Sequence, residues 1–225
     1  MGEGLIMKKE LILTVFAMVV LLSAGVSAHQ PRLVSGDVVM IRNPEVSQAF
    51  YGQLTGLHDH YNIIEEEGFD LYVSILVPDL PGIGKDVSVA IEPIDEIDNN
   101  FIYFLNGTDF QWERYYEEFG GDWYYQGPDV KAKVGPGGYD IHVMSTDNLG
   151  KYVLVVGQKE EFPFDEIVNT IFTMPALKQD FFEKPAYTAY FNLIGVFVFG
   201  PVILVLVIAV LVLLFFRKKM KRREK

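Results

Sequence analysis

The chain has 225 residues, no cysteine, and 30 acidic against 19 basic side chains, for a net charge of −11. Between His29 and Ala189 the count is 27 acidic to 10 basic, so this stretch repels phosphate backbones and argues against nucleic-acid binding. The missing cysteine excludes thiol catalysis, zinc–thiolate centres and lipid attachment through a thiol.

Lys8-Lys9 precede an apolar run from Leu11 to Leu22 and a small-residue stretch ending at Ala28. As a helix the run is about 18 Å long, short of a bilayer's ~30 Å core, and residues 1–28 read as a signal peptide cleaved after Ala28. Either Met1 or Met7 can start it, because Lys8-Lys9 alone supplies the charged region.

Period-two alternation follows over residues 29–160. Phe69–Val77 places Phe69, Leu71, Val73, Ile75 and Val77 on one face. Tyr139, Ile141 and Val143 share a face in a strand over 138–145. A further strand over 151–157 follows the turn Asp147-Asn148-Leu149-Gly150. Shorter strands are expected over 37–41, 49–54, 87–91, 101–105 and 130–134. Gly, Pro, Asn and Asp punctuate these runs, and no βαβ rhythm or phosphate loop is present. The expected fold class is all-β: an antiparallel, jelly-roll-like β-sandwich.

The pattern then turns helical. Over residues 161–188, Phe164, Ile167, Val168, Ile171 and Phe172 form a stripe after Pro163; Pro175 is expected to interrupt the helix, with a second turn or two over 176–182. This juxtamembrane segment is expected to pack under the sandwich or lie along the membrane surface. Residues 189–216 form an uncharged stretch with a kink expected at Gly200-Pro201, and Tyr187, Tyr190 and Phe191 suit an aromatic belt. Arg217–Lys225 is a basic tail. Together these predict a transmembrane helix in type I topology, N-terminus outside the cell membrane and C-terminus cytoplasmic, with the lipid bilayer as a partner through 189–216.

The run Pro136-Gly137-Gly138-Tyr139-x-Ile141-x-Val143-x-Ser145, then Asn148-x-Gly150-x-Tyr152-x-Leu154-x-Val156-Gly157, resembles the closing hairpin of prepeptidase C-terminal and GOLD-type sandwiches. The arrangement around His29-x-Pro31-Arg32 and Phe69–Asp79 is similar to uncharacterised archaeal and bacterial surface proteins. The resemblance implies a ligand- or partner-binding accessory module.

Several side chains carry candidate chemistry. On a strand, His58 and His60 project from one face and two imidazoles can converge on a metal ion. With Gly52 and Glu65 they partly resemble the first cupin metal motif, although Tyr72 stands where a glycine is expected; Pro136-Gly137-Gly138 and His142 partly resemble the second. His29, once at the mature N-terminus, can chelate through its amine and imidazole, given a second histidine across the fold. Trp112, Tyr115, Trp123 and Tyr124 lie in an aromatic and acidic segment suited to stacking on a sugar ring or holding a peptide. The run Asp95–Asn100 offers oxygens to calcium but lacks an EF-hand's spacing. Asn106-Gly107-Thr108 is a glycosylation sequon. No nucleophile elbow or His-Glu-x-x-His motif occurs. The expectation is a non-catalytic surface module with a protein partner, with no cofactor assigned. A metal- or carbohydrate-binding receptor is the alternative, and a cupin-like metalloenzyme comes third.

Overall fold

The computed structural model describes residues 29–34, 36, 38–94 and 102–221. The signal peptide, Asp95–Asn100 and the end of the basic tail lie outside these residues. Within them are eleven strands: β1 (Gln30–Leu33), β2 (Val38–Ile41), β3 (Gln48–Thr55), β4 (Asp59–Glu65), β5 (Phe69–Pro78), β6 (Ser88–Pro93), β7 (Tyr103–Leu105), β8 (Glu113–Glu117), β9 (Asp122–Val134), β10 (Gly137–Met144) and β11 (Leu149–Val156). Two α-helices follow, α1 (Phe164–Ala176) and α2 (Leu193–Lys221).

The strands form two sheets, ordered β1-β3-β11-β5-β9-β8 and β2-β4-β10-β6-β7. From β1 to β6 the chain alternates between them, so each odd strand joins the six-stranded sheet and each even strand the five-stranded one. That alternation makes two edge pairs, β1–β3 and β2–β4, parallel within an otherwise antiparallel sandwich. It also parts β10 from β11. They do not form the hairpin their turn suggests: β10 pairs with β4 and β6, β11 with β3 and β5. The connecting turn, with Asn148 at φ 52° and Gly150 at φ 112°, crosses between sheets instead.

The alternating residues of β5 meet those of β10 and β11 in the core, where Leu71, Val73, Ile75, Ile141, Val143 and Leu154 are fully buried. Two tyrosines sit among them. The Tyr61 and Tyr152 hydroxyls are 2.7 Å apart, and Tyr152 donates to Asp59 Oδ2. Burial pushes both phenols above their ordinary range, so they remain protonated donors. Gly52 makes room for this arrangement, since a Cβ there would stand 2.4 Å from the Tyr152 ring. Gly52→Ala should therefore cost on the order of 1–3 kcal/mol, read as a lower urea midpoint; an unchanged midpoint would show that Tyr152 can yield.

β5 and β11 are buried on both faces, through Leu76, Val153 and Val155 as well as the core residues. The cover is the helical segment after β11. Phe181 packs edge-on against Tyr51 at 5.1 Å and Phe182 against Tyr124 at 5.5 Å, closing the outer face of the six-stranded sheet. Here the structure departs from the sequence reading at Pro175. Pro175 does not break α1; the chain continues into a π-helical turn, Leu177–Phe181. The buried stripe is Thr170, Met174, Leu177 and Phe181, while Phe164 and Phe172 are 79 % and 77 % exposed. Ion pairs at the two ends set this rotation: Arg32 grips Glu166 through two hydrogen bonds, and the buried Lys178 pairs with Asp122.

The chain divides into two compact units, Ser27–Ala189 and one containing Tyr190–Lys225. Within the second, α2 includes Leu193–Leu214, 22 residues of mean hydropathy 3.3, about 33 Å long and sufficient to cross a membrane. The helix runs through Pro201.

Candidate metal centre

The two sheets treat their outer faces differently. Among the described residues of Ser27–Ala189 the helical cover packs on the six-stranded sheet, and the outward positions of the three central strands of the five-stranded sheet carry the polar cluster. By alternation His60 on β4, Asp140 and His142 on β10, and Glu92 on β6 face away from the core residues Tyr61, Ile141 and Ile91. Register then brings them together. His142 stands opposite His60, and Asp140 stands opposite Glu92.

The contacts run as a chain through the four side chains. Asp140 Oδ2 lies 3.2 Å from His60 Nδ1 and 3.3 Å from His142 Nε2, and Glu92 Oε1 lies 2.8 Å from the same His142 nitrogen. The His60 and His142 rings meet edge-on at 4.5 Å. His58, just before β4, lies parallel to His60 with 6.2 Å between ring centroids. Two trios, His58–His60–His142 and Glu92–Asp140–His142, each bring one ligand atom per residue within 4.8 Å of the others. His142 belongs to both.

The two Asp140 distances suit an ion. Ligands about 2.0–2.1 Å from a tetrahedral metal stand roughly 3.3–3.4 Å apart, close to the Asp140 contacts. Two carboxylates placed directly across strands repel each other and cost stability. Asp140 Oδ1 sharpens that cost, because it is buried and accepts no hydrogen bond among the described residues; Asn62 Oδ1, across from Asp140, is buried in the same condition. A cation answers both features at once.

The sequence singled out part of this set. Of the two histidines expected on one strand, His60 lies on β4 and His58 just before it, their rings stacked. Glu65 does not join them, since it falls on the opposite face of β4 by alternation and pairs with Gly137. The carboxylates are instead Asp140 and Glu92, whose signal is only their outward phase on β10 and β6. His29 lies elsewhere, before β1 in the six-stranded sheet, with its Nδ1 against the Ser47 hydroxyl. Burial holds this imidazole below its ordinary value of 6.5. The unfolded chain therefore takes up a proton at a pH where the fold does not, so stability falls as the pH drops below about 6.5. The loss in melting temperature between pH 7.5 and 5.5 should shrink in His29→Gln; an equal loss would contradict this.

The aromatic quartet is not one platform. Tyr124 is buried, its hydroxyl 3.2 Å from that of Tyr51, and Tyr115 stands opposite it on the same face. Trp123 lies on the other face, stacked under Arg114 at 3.9 Å and beside Tyr116. Trp112 donates to the Gly107 carbonyl at 2.8 Å and packs against Gly127. Asn106 lies on an exposed turn, its amide donating to Asp109 at 2.8 Å.

No family model matches the chain, and no curated protein does. Its sandwich is similar in solved structures to the pre-peptidase C-terminal domain of a Bacillus anthracis collagenase, at 14 % identity over 57 % of this chain and 95 % of that one, with a TM-score of 0.33. It is also similar to CorA, a surface-associated copper-binding protein of Methylomicrobium album BG8, at 6 % identity over 57 % of this chain and all of that one, with a TM-score of 0.30. A β-glucosidase from Paenibacillus barengoltzii is similar at 12 % identity over 57 % of this chain and 13 % of its own, with a TM-score of 0.25. The sandwich itself rests on this chain's own strand pairing, and likenesses this distant add no ligand to it.

Proposed function

We propose that the chain is a membrane-anchored, non-catalytic surface module that binds one divalent first-row metal ion on the outer face of its five-stranded sheet. His60, His142, Asp140 and Glu92 supply the ligands, and His58, exposed beside them, is available to complete or exchange the coordination. The observation that carries this reading is the chain of contacts His60–Asp140–His142–Glu92, at 2.8–3.3 Å across three adjacent strands, in which Glu92, Asp140 and His142 each bring a ligand atom within 4.8 Å of the others. Imidazole and carboxylate donors without sulfur select Zn²⁺, Cu²⁺ or Ni²⁺ over Cu⁺. Anchoring through α2 with the sandwich outside rests on the length of the apolar span and on the basic residues after it.

Equilibrium dialysis of the purified full chain against Zn²⁺ tests the site. One ion per chain is expected, with a loss in His142→Ala greater than the 10–100-fold that removing an outer-shell partner costs. Tight binding that survives His142→Ala and disappears with His29→Ala would move the site to the mature N-terminus.

A further inference from the structure

The anchoring just proposed leaves α1 with an unused apolar surface. At 100° per residue, Phe164, Val168 and Phe172 occupy one arc of the helix, next to the arc through Thr170 and Met174 that meets the six-stranded sheet. Asp165, Glu166 and Asn169 occupy the remaining side. The apolar half of α1 is thus wider than the sandwich uses. Its outward part carries the two highly exposed phenylalanines.

The fold fixes that face. Glu166 is held by Arg32 at the start of α1, and Lys178 by Asp122 and the Gly120 carbonyl just after its end, so the helix cannot roll to bury Phe164 and Phe172. The chain also limits how far lipid can be. From Phe182, which is packed on Tyr124, only Glu183–Asn192 precede the apolar helix, and Ala186–Tyr190 of these are coiled into a 3₁₀ turn. Such a connector spans about 27 Å when stretched. A bilayer entered at Leu193 is therefore within reach of α1, which is itself about 20 Å long.

We infer that α1 is an interfacial helix: Phe164, Val168 and Phe172 enter the headgroup boundary of the membrane that α2 crosses, and the neighbouring arc of α1 carries the sandwich. This inference rests on the anchoring reading and is independent of the metal site. The occupant is the lipid surface itself. A zwitterionic surface suits it, because the domain's acidity disfavours anionic headgroups.

The absence of cysteine makes the test clean. Single Phe164→Cys, Phe172→Cys, Asn169→Cys and Val205→Cys chains, labelled with an environment-sensitive fluorophore, are reconstituted in phosphatidylcholine vesicles with shallow or deep doxyl lipids. Labels at 164 and 172 should shift to the blue and lose at least half their emission to the shallow quencher, while the label at 169 stays water-exposed. The label at 205 should respond to the deep quencher. If 205 responds while 164 and 172 behave like 169, the interfacial helix is wrong and the anchor stands. If 205 does not respond, the anchoring reading falls and takes this inference with it. If 164 and 172 are shielded from water yet unquenched, and become exposed when labelled chains are diluted in lipid, a second copy covers the face and the inference is overturned.

Discussion

Asp122→Ala should destabilise the outer domain by about 3–5 kcal/mol, seen as a marked fall in urea midpoint of the full chain in detergent. Asp122 is 1 % exposed and accepts from two lysines, Lys178 and Lys184, the latter at 2.8 Å. Lys178 is 2 % exposed, and its only other acceptor among the described contacts is the Gly120 carbonyl, at 2.6 Å. Burial lowers the Lys178 pKa and Asp122 opposes that shift, so removing the carboxylate strands a desolvated ammonium. Nearby Glu117 does not substitute. Its carboxylate already accepts from the Phe119 and Gly120 amides, and burial pushes its pKa up. Lys178→Met should cost less, because Asp122 keeps Lys184. A midpoint for Asp122→Ala within about 1 kcal/mol of the parent would show that the helical segment is held by its aromatic contacts and its other polar ties, such as Arg32–Glu166, without this pair. The pair matters because it ties the β8–β9 turn to the segment that covers half of the sandwich.

Asp140→Asn should separate stability from binding. In the metal-free protein it removes the repulsion between Asp140 and Glu92 and supplies an amide donor, so the melting temperature should rise by the equivalent of about 0.5–1 kcal/mol. Zn²⁺ affinity should fall by more than tenfold, because a neutral amide replaces a charged ligand that two histidines share. A stabilised variant with weaker binding is the signature of a site maintained at the fold's expense. Were Asp140→Asn to lower the melting temperature and leave affinity unchanged, the cluster would be a structural ion-pair network. The two readings therefore part on the sign of one thermal shift.

How far the sequence shows all this depends on which periodicity is intact. β5 and β10 were legible because strict alternation places Leu71, Val73 and Ile75, or Tyr139, Ile141 and Val143, in the core. β11 was legible as a strand but not as doubly buried, since nothing local says that Phe181 and Phe182 will return to cover Val153 and Val155. β8 was missed because every one of its side chains is exposed or half-buried, which leaves no apolar phase to read. For α1, hydrophobicity locates an apolar arc, whereas Arg32–Glu166 and Lys178–Asp122 decide which part of it meets the sheet. For the metal cluster, His58 and His60 are adjacent in sequence and could be found. Asp140 and His142 share a face of β10 by the same two-residue spacing, but Glu92 joins them, and they join His60, only through the pairing of β6, β10 and β4, which spacing along the chain does not encode.

The central claim is that one ion sits between β4, β10 and β6 on imidazole and carboxylate ligands. X-ray absorption at the zinc edge of the Zn²⁺-loaded full chain tests it most directly. The predicted result is a four-coordinate shell at about 2.0–2.1 Å with scattering from two imidazole rings, reduced to one ring in His142→Ala. An all-oxygen shell without imidazole scattering, or a spectrum identical in His142→Ala, would contradict it.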